Sequence, residues 1–80
     1  MTKLEEKLLE LGYKEICKGL YRKDRIYFAL EKNHIIDWWV DIGKVRTKND
    51  IKMIVDNNEY YFCFVETMQK DLEVLKQCQD

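Results

Sequence analysis

Eighty residues with a formal charge of −1, 46% hydrophobic and 36% charged, describe one globular domain rather than a disordered chain. Acids and bases are interspersed without a basic block, which argues against the phosphate-tracking electrostatics of non-specific nucleic-acid or acidic-membrane binding. No apolar run approaches the roughly 18–20 residues of a membrane span, no signal-peptide pattern opens the chain, and Cys17, Cys63 and Cys78 form an odd, scattered set expected of reduced thiols in the cytoplasm.

The opening segment TKLEEKLLELGY predicts a short helix with both ends marked. Thr2 and Glu5 stand at capping-box spacing, where each side chain satisfies a backbone N–H of the other residue. Leu4, Leu8 and Leu11 share one helical face, and Gly12 stands where the helix should end.

Strands follow. A first one, over about Ile16 to Tyr21, is expected to turn through Arg22, Lys23 and Asp24 and to bring Leu20 opposite Ile26. RIYFALEKNHIIDWWVDI then alternates apolar and polar residues on both sides of EKNH, the pattern of a hairpin. A three-residue loop of Lys32, Asn33 and His34, with Asn33 left-handed, pairs Ile26 with Val40, Phe28 with Trp38 and Leu30 with Ile36. A two-residue loop would slip the register and set Phe28 against Asp37, so the longer loop is preferred. On this reading Trp38 joins the core beside Ile36 and Val40. Trp39 stacks beside Tyr27 on the second face, edged by Arg25, Asp37 and Asp41.

The last 34 residues admit two readings. IKMIVDNNEYYFCFV has hairpin character, with Asn57 and Asn58 at the turn and β-favouring aromatics after it. That turn would set Asp56 against Glu59, like charge against like. The helical reading, from about Lys48 to Gln77, is favoured: Thr47 and Asp50 form a second capping box. Ile51, Ile54, Asn58, Tyr61, Val65, Met68, Leu72 and Leu75 recur at steps of three and four without a slip. Such a helix would be about 45 Å long, longer than the body of a compact domain of this size, which is about 30 Å across. It must overhang its sheet or break near Asn57 and Asn58. Val55, Tyr60, Phe62 and Phe64 widen its apolar surface, and an overhanging apolar helix calls for a second chain. A homodimer is therefore expected, with Ile51, Ile54, Asn58, Tyr61, Val65 and Met68 in the contact and Asn58 fixing register.

Catalytic chemistry finds little footing. His34, the one histidine, falls in the expected hairpin loop with a single carboxylate nearby. The cysteines lack paired metal-ligand spacing. Cys17 and Cys63 read as small hydrophobes in apolar segments, and Cys78 as an exposed thiol with no fixed cation to activate it. Asp37 and Asp41, four residues apart on a strand, would lie about 13 Å apart, beyond the spacing of carboxylate-pair hydrolysis. No phosphate-binding glycine loop, nucleophile elbow or zinc-helix motif occurs. No enzyme, metal or cofactor is expected. Tyr27, Trp39 and Arg25 remain the candidate partner-binding residues. A protein is the expected partner, because Asp37, Asp41 and Glu31 oppose the phosphates of the alternative, a single-stranded nucleic acid.

The segments LEEKLLELGYKE, RIYFALEKN, IIDWWVDIG and TKNDI leading to FVETMQKDLEVLKQ resemble a loose group of small uncharacterised proteins carried by prophages and plasmids of Gram-positive bacteria. The resemblance covers most of the chain. It implies an α+β fold with helices at both ends and no established activity, so no catalytic residue carries over. VDNNEYYFC departs from the group's pattern by lengthening the stretch before MQKDL. The expected whole is a single α+β domain: a short N-terminal helix, a three-stranded antiparallel meander and a long C-terminal helix. The alternative inserts a hairpin at 51–65 before a shorter helix. The expected role is a non-enzymatic, self-associating protein-interaction module, an accessory protein of phage derivation.

Overall fold

In a computed structural model, residues 1–43, 47–56 and 58–79 are described, without the side chains of residues 51, 55, 58 and 59. Helix α1 spans Lys3–Glu10 behind the expected capping box: the Glu5 N–H donates to Thr2 Oγ1 at 3.2 Å and the Thr2 N–H to Glu5 Oε1 at 3.3 Å. The helix closes on Gly12 at φ 98°, where the Gly12 N–H bonds Leu9 O and the Tyr13 N–H bonds Leu8 O. These two bonds make a Schellman motif, whose usual apolar contact across the cap falls here to Tyr13 and Leu8, both fully buried.

Four described strands follow, one more than the sequence suggested: β1 Lys14–Cys17, β2 Leu20–Lys23, β3 Ile26–Glu31 and β4 His34–Val40. They form an antiparallel meander in the order β1-β2-β3-β4. The extra strand arises because Lys18 and Gly19 make a turn of their own. Gly19 has φ 80°, and a Cβ there would stand 2.7 Å from Leu30 O. Its own carbonyl accepts the Leu30 N–H at 2.7 Å, so only glycine permits this approach.

The β2–β3 register differs from expectation. The turn is Asp24 and Arg25, not Arg22 to Asp24, and Leu20 pairs with Ala29 rather than Ile26. Tyr21 thereby lies inside beside Phe28, and Leu20 outside. Asp24 carries φ 53°, the positive φ that two-residue hairpin turns require at their first central position. The β3–β4 turn is likewise two residues, Lys32 and Asn33, with Lys32 rather than Asn33 left-handed at φ 56°. His34 therefore opens β4 opposite Glu31 instead of sitting in a loop. The central pairs Ile26–Val40, Tyr27–Trp39 and Phe28–Trp38 nevertheless stand as expected. A bulge reconciles the two: Leu30 faces Ile35, Ala29 faces Asp37, and Ile36 is the extra residue. Ile36 is consequently exposed, and Ile35 takes its place against the core.

The C-terminal segment is helical over α2 Lys48–Asp56 and α3 Asn58–Lys76, which excludes the hairpin at 51–65; Asn57 lies outside the described residues. Thr47 and Asp50 form the second capping box, with bonds of 3.0 and 3.3 Å. Helices α1 and α3 cover one face of the sheet. The core joins Leu4, Leu8 and Tyr13 to Tyr21, Ile26, Phe28 and Leu30, and to Met68, Leu72 and Leu75 of α3. Trp38 lies on that face but keeps 39% of its surface exposed, not buried as expected, because β4 is an edge strand with a neighbour on one side only. Among its described side chains, α2 adds none to the buried core. The fold is α+β, and it is elongated: its extents are 43 × 22 × 18 Å and its radius of gyration is 14.0 Å, against about 12 Å for a compact domain of this length.

Candidate functional site: the open sheet face and the exposed helix

Direct cross-strand partners share a face, so the pairings Lys14–Arg22, Arg22–Tyr27 and Tyr27–Trp39 lay one continuous row across all four strands. The row lies opposite the face covered by α1 and α3. A second row, Cys17–Leu20–Ala29–Asp37, runs beside it. The Tyr27 and Trp39 ring centres are 5.2 Å apart with planes 2° from parallel. Rings lying flat and side by side would collide at that spacing, so these stand up from the sheet and stack on each other. The Arg22 guanidinium lies 5.7 Å from the Tyr27 ring centre, approaching from the β2 side as Trp39 does from the β4 side. Both faces of Tyr27 are therefore occupied within the chain, leaving the outer face of Trp39 as the open ring surface of the stack.

Arg25, expected beside Tyr27 and Trp39, turns instead toward α3. Its guanidinium stands 5.8 and 5.5 Å from the Tyr60 and Tyr61 rings, and its Nη1 donates to Asp41 O at 3.2 Å. The two-residue β2–β3 turn explains this, since it holds Arg25 at the sheet end where α3 begins. Arg22 takes the place foreseen for it, an exchange the pairing register alone could have revealed.

Of the residues expected to support self-association, Met68 is buried in the chain's own core and is out of reach of a partner. Tyr61 is half-buried, with its hydroxyl donating to Ile42 O at 3.4 Å, and Ile54 lies with Ile42, Asp50, Met53 and Tyr61 around a shallow cleft. Val65 is exposed at the border. The side chains of Ile51 and Asn58 lie outside the described residues. Among those described, the large apolar residues that α2 and α3 leave in water are Met53, Tyr60, Phe62 and Val65, Met53 and Phe62 being 62% and 58% exposed. Tyr60 and Phe62 are about 200° apart around α3, so both flanks are apolar. On β4 and just beyond it Ile36, Trp38, Trp39 and Ile42 add to this concentration of exposed apolar surface.

Sequence reasoning missed the buried polar cluster. Asp71 Oδ2 accepts from Tyr13 Oη at 2.7 Å and Lys23 Nζ at 3.0 Å, and Lys23 also donates to Leu11 O at 3.1 Å. Lys23 stands 4.6 Å above the Tyr13 ring as well. Burial, then the bond to Asp71, pushes the Tyr13 hydroxyl pKa far above its ordinary value. The cluster ties the end of α1, β2 and α3 together. Residues 48 or more positions apart in sequence meet in it, which no local pattern announces.

A groove of about 470 Å³ opens between α1 and the β1–β2 turn, edged by Glu5, Glu15, Glu31, Lys18 and Lys32 around Tyr21. Glu5 is engaged with Thr2 and with the Tyr21 hydroxyl, and Glu15 accepts the Gly19 N–H. Burial, then the charges of Glu15 and Glu5, push the Tyr21 hydroxyl up to about 12. Two of the groove's carboxylates are thus occupied within the chain. Among the described residues no group of three His, Cys, Asp or Glu side chains is placed to hold a metal ion. Cys17 and Cys63 are exposed rather than packed as small hydrophobes, the first on an edge strand and the second on an outward position of α3. Cys78, expected in solvent, instead packs partly buried against the core. No described helix is long and apolar enough to cross a membrane. Comparison with protein-family models, with curated proteins and with solved structures gives no match to this chain.

Proposed function

We propose that this protein is a non-enzymatic interaction module that self-associates as a homodimer through its C-terminal helices. One observation carries the reading: α2 and the first turns of α3 present Met53, Tyr60, Phe62 and Val65 to solvent, while the described side chains of α2 add nothing to the core. Exposed apolar residues gathered on one element mark interaction surfaces more often than scattered ones do. The elongated shape supports it too, since a helix that only stabilised its own domain would lie across the sheet. Of the residues first expected in the contact, Val65 and the exposed parts of Ile54 and Tyr61 remain eligible, joined by Met53, Tyr60 and Phe62. The resemblance to small prophage and plasmid proteins supports an accessory, cytoplasmic role.

Sedimentation velocity tests the dimer. The wild-type chain should sediment as a dimer at tens of micromolar, and Met53→Lys with Phe62→Lys should weaken association at least about tenfold, some 1.4 kcal/mol. Both side chains are exposed, so circular dichroism should be unchanged. A wild-type monomer at about 100 µM would sink the proposal.

A second reading, a single-stranded nucleic-acid binder, draws support from the cations Lys14 and Arg22 beside Tyr27 and Trp39. The ring stacking weighs against it, because bases need free ring faces and Tyr27 offers none. Tryptophan fluorescence titrated with an oligonucleotide at low and high salt separates the readings, and salt-sensitive quenching would favour the second.

A further inference from the structure

We infer that the open sheet face is a second self-association surface, on which two copies meet face to face about a two-fold axis parallel to the strands. The order of the residues across the sheet carries the inference. The first row reads Lys14, Arg22, Tyr27, Trp39 from β1 to β4, that is, cation, cation, aromatic, aromatic. A row in this order is complementary to its own reversal, and reversal is what such an axis imposes. Strand β1 of one copy then lies over β4 of the other, and β2 over β3. Lys14 comes over Trp39 of the second copy, and its long side chain reaches past the upright ring to the open face that looks off the β4 edge, a cation–aromatic contact that strengthens as water leaves. Arg22 meets Tyr27, whose ring stands up from the sheet and whose phenolic oxygen can accept from the guanidinium. Each contact is made twice, as an isologous interface requires.

The second row obeys the same rule. Cys17, Leu20, Ala29 and Asp37 reversed set Leu20 against Ala29, so small and medium apolar side chains meet at the middle of the contact. Asp37 falls on the β1 side of the other copy, within the neighbourhood of Lys14. The charges divide accordingly: Lys14 and Arg22 lie on β1 and β2, while Asp37 lies on β4 with Asp41 just beyond its end. A uniformly charged face would repel its copy; this one attracts it. Pairing edge to edge through β4 is blocked instead. The Trp38 N–H bonds the Asp37 carboxylate at 2.8 Å and the Ile35 N–H bonds Gln79 Oε1 at 2.7 Å, so side chains of the same molecule take up these two donors.

The size of the face sets the strength. Four strands at about 4.8 Å spacing give about 19 Å of width, over about 15–20 Å of strand. Two such faces bury on the order of 800 Å², short of the roughly 1,200 Å² of stable complexes. The contact is therefore weak, forming at about 0.1–1 mM for free chains, and it joins helix-mediated dimers into larger assemblies as concentration rises.

The test uses the full chain carrying Met53→Lys and Phe62→Lys, which weakens the helix contact, together with Trp38→Phe so that Trp39 alone reports. Sedimentation equilibrium to about 1 mM should show monomer–dimer exchange, with Trp39 emission shifting to the blue as dimer forms. Lys14→Glu should weaken this at least about fivefold, because the new carboxylate would approach Asp37 of the second copy. Adding Asp37→Lys to Lys14→Glu should restore association, since opposite charges then face each other again across the axis. Emission that stays constant up to 1 mM with a monomeric mass overturns the inference, and so does a double variant that associates no better than Lys14→Glu alone. Quenching of Trp39 by a single-stranded oligonucleotide without self-association overturns it as well. Failure of the helix dimer alone would show in the wild-type mass at low concentration and leaves this result readable.

Discussion

Lys23 reaches from β2 toward the buried side of the sheet, where an unpaired ammonium would be costly. Asp71 on α3 and the Leu11 carbonyl at the end of α1 receive it, and the Tyr13 hydroxyl completes the cluster. Buried polar groups that satisfy one another fix one arrangement of the elements that carry them. Tyr13→Phe removes a donor from Asp71 but leaves Lys23 in place, so it should lower stability by about 0.5–1.5 kcal/mol at neutral pH. The mutation should also change the alkaline limb. A phenol whose pKa is raised by folding is neutral in the native state, so its contribution is intact below the ordinary tyrosine pKa of about 10. That contribution fades as the unfolded chain ionises above this value. Wild-type stability should fall from about pH 10 upward, and Tyr13→Phe should flatten the fall, leaving the part due to Tyr21, whose pKa stands at about 12. Urea midpoints between about pH 7 and pH 12 for the two proteins decide the matter; parallel curves would refute the assignment. None of this is legible in local sequence. Tyr13 reads as the residue after a helix and Lys23 as part of a loop, because the partner that explains both lies far along the chain.

Two capping boxes carry the same signal with unequal consequences for the elements they start. Thr2 with Glu5 and Thr47 with Asp50 are both reciprocal, and spacing alone reveals both. Helix α1 delivers Leu4 and Leu8 to the core, whereas α2 delivers no buried residue among those described. Thr2→Ala should therefore cost about 1 kcal/mol of global stability. Thr47→Ala should loosen α2 locally and hardly move the global midpoint. Hydrogen exchange of the α2 amides, set beside chemical denaturation, distinguishes the two; an equal global loss would mean that α2 is coupled to the core after all. The strands teach a related lesson. Alternation settles which residues of β3 and β4 meet near Phe28, because a slip there would turn a whole buried face outward. It does not settle the loop, because a bulge at Ile36 absorbs the slip between a two-residue turn and the central pairs. The β2–β3 register departs from expectation for a similar reason. Tyr21 and Leu20 can each be placed inward by local pattern, and the choice falls to Tyr21 because the space beside Phe28 and α1 holds its ring.

Shape is the informative quantity once the chain is taken in its entirety. The Met53→Lys, Phe62→Lys variant, monomeric at low concentration, should give a solution radius of gyration near the 14.0 Å of the single chain, rather than the about 12 Å of a compact fold. Small-angle scattering extrapolated to zero concentration measures it, and a value near the compact limit would mean that the C-terminal helices fold back and cover their own apolar flanks. Local sequence is sufficient for the α+β class, the capped ends of α1, the start of α2 and the central pairs of the β3–β4 hairpin. These rest on short-range hydrogen bonding and on the period of apolar residues, which neighbouring positions fully encode. Closure of the chain was needed to settle which side of each amphipathic element faces inward and how far. It sent Met68 into the core, left Trp38 half in water at a sheet edge, moved Arg25 to the tyrosines of α3 and brought Arg22 to Tyr27. Those outcomes depend on which strand lies at an edge and where a distant helix begins, and such facts exist only after remote segments have packed against one another.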